Sequence, residues 1–451
     1  MPALLRRSVL PLAFASFLFA ACSDDGGGDG DDGGGTSGAS GSSGTQGGGT
    51  SGSSGSSSGG SATGGASGSS GASTGGSAQG GTAQGGAAGA GGAGMTGGSA
   101  GAGTTGGSAG AGMTGGSAGM TGGSGGSGAT VTGPRFIGRF TNDRRFAWSG
   151  ATIALRFTGT SVSVTLTDTG DNFYDAVVDG GDPLVIDAMS GTRTYMIATD
   201  LANGPHEVRV TRRTEAFFNP STFVSFSVPE SAWLPQTVPN RRLEVIGDSI
   251  SAGYGNEGMG PDCDFVPATE NHSLTYEALA AGELGAELHT EAWSGIGVYR
   301  NNDGGMTGLM PERFLLTIPT ESGTTWDFSK YQPHAVVVNL GTNDFAMGDP
   351  GMGFRTAQQN FAASLRMRYP DARIYLAVGP MLNGAQYAAA LDYLEAVVTA
   401  RRAAGDDAID TIEFATDTGS GGFGCHYHPN EATHARMATT LVARLRADLG
   451  W

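Results

Sequence analysis

Hydrophobic and polar residues follow two different patterns after residue 133. In residues 134–235, apolar and polar positions alternate over short stretches that turn-forming residues separate. The alternation predicts strands at residues 152–157, 161–166, 176–178, 206–211 and 222–226. Short strands of this kind predict a β-sandwich domain over residues 134–235.

Residues 236–451 show apolar runs that alternate with helical periodicity. The runs predict strands at residues 243–246, 335–340, 374–378 and 409–414. The helical periodicity predicts helices at residues 274–284, 354–369, 387–404 and 431–449, the last with Asn430 as its N-cap. The run at 335–340 is almost entirely apolar, as expected for a strand covered on both faces. Residues 236–451 are therefore predicted to form a three-layer α/β domain with a parallel sheet.

Residues 23–130 follow neither pattern. They consist almost entirely of Gly, Ser, Ala and Thr and contain no aromatic residue. Such a segment cannot bury enough apolar surface to offset the entropy lost on ordering. We therefore predict a disordered linker between the N-terminus and the two domains.

The N-terminus has the features of an export signal. Arg6 and Arg7 precede an apolar run over residues 9–21, which is short for a transmembrane helix. The run ends at Phe19-Ala20-Ala21-Cys22, which resembles the lipobox of bacterial lipoproteins. The resemblance implies that residues 1–22 are a lipoprotein signal peptide, that Cys22 is lipidated, and that the protein is anchored in the bacterial cell envelope. The alternative is an ordinary cleaved signal peptide, which would make the protein secreted.

The formal net charge of −17 narrows the choice of ligand. An acidic chain is poorly suited to nucleic acid or to anionic lipid, whereas a neutral sugar remains compatible with it. We accordingly expect no nucleic-acid partner and no membrane contact beyond the lipid anchor. We also expect a monomer.

Three separated blocks carry the candidate chemistry. Ser249 lies in a Gly-Asp-Ser-Ile turn directly after the predicted strand 243–246, where α/β hydrolases keep a nucleophile. Asn343 follows the strand 335–340, and His428 precedes the last helix. A serine hydroxyl needs a base to remove its proton, and the pKa of histidine suits that task.

Together these blocks resemble the SGNH hydrolases, also called GDSL esterases, and in finer detail carbohydrate esterase family 2, whose members hydrolyse acetyl esters of plant polysaccharides. The resemblance covers about residues 134–451, and its motifs are residues 247–250, 292–301, 326–333, 339–345 and 424–429. In this family the sandwich is a jelly roll packed on the esterase domain. It either buttresses that domain or helps to shape the glycan cleft.

The resemblance also implies roles for individual residues. Ser249 would be the nucleophile and His428 the base, while the N–H groups of Ser249 and Gly295 and the side-chain amide of Asn343 would form the oxyanion hole. Gly297 is the alternative to Gly295. Other functions are open: Asn343 as a turn cap, His428 as a structural loop histidine, and both glycines as packing residues. Asp248 is expected to brace the turn, and three aromatic residues are expected either to stack on sugar or, more simply, to pack in the core: Tyr254, Trp293 and Trp326.

One position departs from the family pattern. Most SGNH enzymes have Asp two residues before the histidine, and this chain has His426 there. An imidazole cannot replace a carboxylate that orients the base. Carbohydrate esterase family 2 includes members that use a Ser-His dyad with a backbone carbonyl steadying the histidine, so the resemblance implies such a dyad for Ser249 and His428. Neither Asp417 nor Glu431 is expected to substitute for the missing carboxylate.

Cysteine and histidine residues near the C-terminus allow two further interpretations. In an oxidising compartment, Cys263 and Cys425 are candidates for a disulfide that joins the loop after Ser249 to the loop of His428; two unrelated buried thiols are the alternative. Cys425, His426, His428 and His434 also lie close together in the sequence, as in some zinc sites. Their spacing is not that of a helical ligand pair and no HExxH is present, so we expect neither metal nor other cofactor.

The predicted function is an acetyl esterase that deacetylates a polysaccharide such as acetylated xylan or glucomannan through an acetyl-Ser249 intermediate. One alternative is a glycan-binding lipoprotein whose hydrolase site has decayed. Another is an SGNH esterase that acts on a lipid or a peptidoglycan acetate.

Overall fold

The computed structural model describes residues 129–451. The predicted signal peptide, Cys22 and the predicted linker up to residue 128 lie outside the described residues. Within residues 129–451, no helix has the length and apolar character needed to cross a bilayer.

Residues 129–240 form a β-sandwich. The strands of this part of the chain are β1 (Thr130–Thr132), β2 (Arg135–Ile137), β3 (Arg145–Phe146), β4 (Thr152–Gly159), β5 (Val162–Asp168), β6 (Phe173–Val178), β7 (Leu184–Asp187), β8 (Gly191–Ala198), β9 (Gly204–Arg212), β10 (Ser221–Phe226) and β11 (Pro235–Thr237). One sheet has the order β2-β4-β9-β6-β7 and the other β3-β10-β5-β8, with antiparallel pairing throughout, while β1 pairs with β11.

The strands of the sandwich alternate between its two sheets along much of the chain, as in a jelly roll. Side chains from both sheets meet in one core, which includes Leu155, Val164, Val210 and Phe223. The five strands predicted from alternation are confirmed as β4, β5, β6, β9 and β10.

Residues 241–451 form the α/β domain. Its elements are β12 (Arg241–Gly247), α1 (Ser249–Ala252), α2 (Tyr276–Leu284), β13 (Ala286–Ala292), α3 (Met310–Arg313), β14 (Ala335–Asn339), α4 (Met352–Arg368), β15 (Arg373–Val378), α5 (Gly384–Ala403), β16 (Ile409–Glu413) and α6 (Glu431–Leu449). The sheet has the order β13-β12-β14-β15-β16, and every pairing in it is parallel.

Two separate hydrophobic cores lie on the two faces of this sheet. Val338 and Leu376 pack in a cluster with residues of α4 and α5, whereas Val337 and Tyr375 pack in a cluster with residues of α2 and α6. Neighbouring residues of a strand point to opposite faces, so the sheet is covered on both sides. The predicted three-layer parallel α/β domain is confirmed.

A buried arginine joins the sandwich to the parallel sheet. Arg139, in the loop after β2, is fully buried and forms ion pairs with Glu244 of β12 at 3.1 Å and Glu291 of β13 at 2.8 Å. Its guanidinium also lies over the ring of Phe314, 4.6 Å from the centroid. Buried charges are tolerated when they are paired, so loss of Arg139 would leave Glu244 and Glu291 buried without their partner.

Candidate active site

The turn after β12 places Ser249 at the carboxyl end of the sheet. Ser249 is the first residue of the short helix α1, and the Asp248 carboxylate accepts the N–H of Ile250 at 3.0 Å. A Cβ atom on Gly247 would lie 2.2 Å from Ser251 Oγ, so only glycine fits before the turn. Asp248 thus braces the turn that presents the Ser249 hydroxyl, as predicted from the sequence. Burial raises the pKa of Asp248 to about 7.

The turn before α6 brings His428 to Ser249. His428 Nε2 lies 2.8 Å from Ser249 Oγ, although the two residues are 179 positions apart. His428 Nδ1 lies 3.2 Å from the carbonyl oxygens of both Cys425 and His426. Carbonyl oxygens only accept hydrogen bonds, so Nδ1 carries the proton and Nε2 accepts from the serine hydroxyl. Burial lowers the pKa of His428 to about 4, which keeps the imidazole neutral at neutral pH.

Within residues 129–451, no carboxylate hydrogen-bonds to His428. Asp417 instead accepts from Thr433 Oγ1 at 2.6 Å in the first turn of α6, and Glu431 is exposed on that helix. His426, at the usual position of the carboxylate, has its Nδ1 3.0 Å from the Tyr254 hydroxyl. The contacts of His428 Nδ1 are therefore with main-chain oxygens.

Two of the predicted oxyanion-hole donors are backbone N–H groups without a protein acceptor among the described residues. In the described part of the chain, the N–H groups of Ser249 and Gly295 donate to no protein acceptor, whereas the N–H of Gly297 donates to Asn301 Oδ1 at 3.1 Å. A Cβ atom on Gly297 would lie 1.9 Å from the carbonyl oxygen of Arg300, so this glycine is required by close packing. Of the two glycines left open by the sequence, Gly295 is the one with a donor to offer.

The Asn343 side chain joins the segment after β14 to the loop that contains Gly295 and Gly297. It is 8% exposed, and its Nδ2 donates to the carbonyl oxygen of Ile296 at 2.8 Å. The same nitrogen lies 3.4 Å from Asp248 Oδ2, which is long for a hydrogen bond. Its second hydrogen is therefore only weakly engaged.

Sequence reasoning missed Asp344. Its buried carboxylate accepts the N–H groups of Val298 at 3.1 Å, Tyr299 at 2.8 Å and Arg300 at 3.0 Å. Burial raises the pKa of Asp344, and these three bonds oppose that rise. Its position directly after Asn343, at the end of a buried strand, was the available signal.

The three aromatic candidates have different surroundings. Trp326 is 5% exposed and its ring lies under the guanidinium of Arg139 at 5.3 Å, so its place is in the core and the sugar-stacking interpretation is wrong for it. Tyr254 is half-buried between Phe265, with centroids 3.9 Å apart, and His428, with centroids 4.4 Å apart. Trp293 is half-buried under the guanidinium of Arg313 at 3.9 Å.

Cys263 and Cys425 form a disulfide with an S–S distance of 2.08 Å. The bond ties the loop after α1 to the turn that carries His428. Because Cys425 has no free thiolate, it cannot serve as a zinc ligand, and His434 Nδ1 instead accepts the N–H of Tyr276 at 3.1 Å. The cluster of possible ligands suggested by the sequence does not converge on one point.

Two family models match the described domains. Residues 136–237 match the carbohydrate esterase 2 N-terminal domain, and residues 245–436 match the GDSL-like lipase/acylhydrolase family. Among curated proteins, the cellulase/esterase CelE of Acetivibrio thermocellus is 39% identical over 320 residues, which cover 70% of this chain and 39% of CelE. The chain thus spans well under half the length of that relative. An acetylxylan esterase/glucomannan deacetylase of Cellvibrio japonicus is 25% identical over 311 residues, which cover 68% of this chain and 85% of the relative.

Solved structures cover both domains together. A family two carbohydrate esterase from Clostridium thermocellum, in complex with cellohexaose, is 38% identical with a TM-score of 0.67, and the match covers 71% of this chain and all of that one. A carbohydrate esterase family 2 enzyme from Corynascus thermopiles (Myceliophthora fergusii) is 31% identical with a TM-score of 0.65 and equal coverage. This chain belongs to carbohydrate esterase family 2, within the GDSL-type hydrolases.

Proposed function

We propose that the protein is a serine esterase that removes O-acetyl groups from a polysaccharide of the xylan or glucomannan type. The observation that carries the proposal is the 2.8 Å contact between Ser249 Oγ and His428 Nε2. The N–H groups of Ser249 and Gly295, which have no protein acceptor within the described residues, support it. The names of the relatives support the substrate class: two are acetylxylan esterase/glucomannan deacetylases, and one solved relative holds cellohexaose.

The geometry supports acyl transfer in two halves. His428 Nε2 takes the proton of Ser249 as Oγ attacks the acetyl carbonyl carbon. The negative oxygen that develops accepts from the N–H groups of Ser249 and Gly295 and from Asn343 Nδ2. As the carbon–oxygen bond to the sugar breaks, His428 returns the proton to the leaving sugar oxygen and acetyl-Ser249 remains.

Water completes the cycle. His428 Nε2 takes a proton from water, and the hydroxide oxygen attacks the acetyl-Ser249 carbonyl. Collapse of the second intermediate releases acetate, and the proton returns to Ser249 Oγ. The carbonyl oxygens of Cys425 and His426 accept the Nδ1–H throughout and stabilise the imidazolium, so the proposed machinery is a Ser-His dyad. All these groups belong to one chain, so the proposed chemistry needs no second subunit.

Acetate release tests the proposal. Wild-type protein should release acetate from acetylated xylan or glucomannan, and Ser249→Ala should lower kcat by at least about 1000-fold. Ser251→Ala is the matched control, because Ser251 lies in the same short helix and its hydroxyl contacts Tyr276 instead of His428. Equal turnover by wild type and Ser249→Ala would refute the proposal.

Two further measurements distinguish this function from the alternatives, a decayed glycan-binding site and an esterase that acts on a lipid or a peptidoglycan acetate. A serine-reactive fluorophosphonate should label wild type, whereas a decayed glycan-binding site would stay unlabelled. A panel with longer acyl esters and acetylated peptidoglycan would show preferential turnover of one of those if the substrate were a lipid or a cell-wall acetate.

We also propose that the enzyme is exported and held at the bacterial cell envelope by a lipid on Cys22. The lipobox-like sequence before Cys22 supports the anchor, and the disulfide fits an oxidising compartment. Wild type should partition into the detergent phase of a Triton X-114 extract, whereas Cys22→Ser should move to the aqueous phase. Identical partitioning would refute the anchor.

A further inference from the structure

The loop of residues 293–300, here called the oxyanion loop, carries the N–H of Gly295. Besides the bond from Asn343 to the carbonyl oxygen of Ile296, a carboxylate holds the loop near each of its ends. The Asp344 carboxylate holds its far end through the N–H groups of Val298, Tyr299 and Arg300. Its near end is held from the other domain, because the N–H of Ser294 donates to Glu215 Oε2 at 2.7 Å. Glu215 follows β9 in the sandwich.

The backbone of Glu215 is itself fixed. Its N–H donates to Glu270 Oε2 at 3.0 Å, and its carbonyl oxygen accepts from Arg212 Nη2 at 2.9 Å. Glu215 is 3% exposed, and Arg212 is fully buried. The carboxylate is therefore presented to Ser294 from a rigid and dry position. Burial raises the pKa of Glu215, while its bonds to Ser294 and the charge of Arg212 oppose the rise.

Ring contacts lie next to the hydrogen bond between Glu215 and Ser294. Phe217, two residues after Glu215, lies edge-on to the Trp293 ring, with centroids 6.0 Å apart. The guanidinium of Arg313, in α3, also lies over the Trp293 ring at 3.9 Å. Trp293, the residue before Ser294, thus contacts both the sandwich and the α/β domain.

The contact at Ser294 constrains the donor at Gly295. Each peptide group is planar, so the bond to Glu215 fixes the plane that ends at the Ser294 nitrogen. The next plane carries the N–H of Gly295, and only the two backbone dihedrals of Ser294 separate them. Gly295 has a φ of +79° and an N–H without a protein acceptor, so within the described residues no hydrogen bond of its own holds that N–H in place.

We infer that Glu215 is a positioning residue for the proposed hydrolysis: through Ser294 it fixes the direction of the Gly295 N–H, and the sandwich domain thereby completes the oxyanion hole. The inference rests on the proposed function. Removal of a whole oxyanion donor lowers kcat by about 100- to 1000-fold, so a loosened donor should cost roughly 10- to 100-fold. Binding of the ground-state ester, and hence KM, should change little.

Three variants test the inference. Glu215→Ala removes the acceptor, whereas Glu215→Gln keeps an amide oxygen that can accept the N–H of Ser294. Arg145→Ala is the matched control: Arg145 also contacts the α/β domain, through Glu321 at 2.9 Å, but that half-exposed pair touches no residue of the oxyanion loop. The readouts are kcat and KM on p-nitrophenyl acetate, the rate of Ser249 phosphonylation by a fluorophosphonate, and the thermal midpoint.

The inference expects Glu215→Ala to lose 10- to 100-fold in kcat and in phosphonylation rate, with KM within about threefold. Glu215→Gln and Arg145→Ala should stay within about threefold of wild type in both rates. If Glu215→Ala keeps the wild-type rates, or if Glu215→Gln falls as far as Glu215→Ala, the inference is overturned while the proposed function stands. A wild type that neither hydrolyses the ester nor is labelled would overturn both.

Discussion

The ring of Tyr254 lies against the imidazole of His428, with centroids 4.4 Å apart, and its hydroxyl contacts His426 Nδ1 at 3.0 Å. The aromatic ring covers the proposed base and contributes to the burial that lowers its pKa. Among its side-chain contacts, His426 thus meets Tyr254 and not the imidazole of His428. The position that holds a carboxylate in most SGNH enzymes here supports a ring that covers the base.

The acid limb of the pH profile of kcat/KM should reflect the pKa of His428. The neutral imidazole is the active base, and burial lowers its pKa to about 4. The kcat/KM on p-nitrophenyl acetate should therefore persist well below pH 6.5 and fall about tenfold per pH unit only below pH 4. Asp248, with a pKa of about 7, is the neighbouring group that could add a second inflection. Any such inflection should vanish in Asp248→Asn, and an acid limb near 6.5 in that variant would contradict the assignment to His428.

Substitutions at His426 should show how a carboxylate and a neutral side chain at this position differ in their effect on the pKa of His428. His426→Ala should change kcat by less than about threefold, because the imidazole does not touch His428. His426 has a φ of +53°, which Asp and Asn tolerate better than most residues. A carboxylate at this position should raise the pKa of His428, so His426→Asp should move the acid limb upward by about one unit or more. His426→Asn is the uncharged control, and an equal shift in both variants would rule out a charge effect.

Asn343→Ala should remove the proposed side-chain donor of the oxyanion hole. We expect kcat to fall by about 100- to 1000-fold, equivalent to about 2.7–4 kcal/mol of barrier, with KM nearly unchanged. Asn301→Ala is a useful comparison, because it frees the N–H of Gly297 and only loosens the loop. Its loss should stay below about tenfold. Equal losses in the two variants would mean that Asn343 acts only by holding the loop.

Loss of the disulfide should affect both stability and turnover. Replacement of Cys263 and Cys425 by Ser opens a link that spans 162 positions, which should lower the free energy of unfolding by about 2–5 kcal/mol. The turn it holds contains His426 and Tyr427, both with positive φ, and the carbonyl oxygen of Cys425 faces His428. Denaturant melts should show the destabilisation and acetate release should show a lower kcat. Unchanged values for both would refute a role for the bond.

The elements that sequence predicts well are those whose pattern depends on local contacts. Helix α6 begins and ends at the predicted residues, because Asn430 caps it by accepting from Thr433 at 3.1 Å and an apolar stripe follows. The strand β13 was missed because polar residues interrupt its run. Of these, Glu287 is paired with Arg135 and Glu291 with Arg139, both from the other domain. No local pattern can reveal a partner that lies about 150 positions away.

The candidate site shows the same limit. Three motifs were enough to predict that Ser249 and His428 would meet in one site and to name Asn343 as its side-chain donor. The resemblance favoured Gly295 over Gly297, but the physical reason was not visible in the sequence, since it depends on how the loop folds back to bring Asn301 to the N–H of Gly297. Glu215 gave no signal, because it lies in the sandwich and meets Ser294 only through the domain contact.

The Arg139 cluster has a consequence for how such enzymes are assembled from modules. An isolated α/β domain would expose the apolar residues on which Ala147, Trp148 and Ala216 pack and would leave Glu244 and Glu291 without their cation, so cutting at residue 240 should give an aggregation-prone fragment. CelE matches this chain over 320 residues, more than the α/β domain alone contains. For protein engineering, the sandwich and the α/β domain should therefore be transferred together, and a foreign sandwich would have to supply its own equivalent of this arginine.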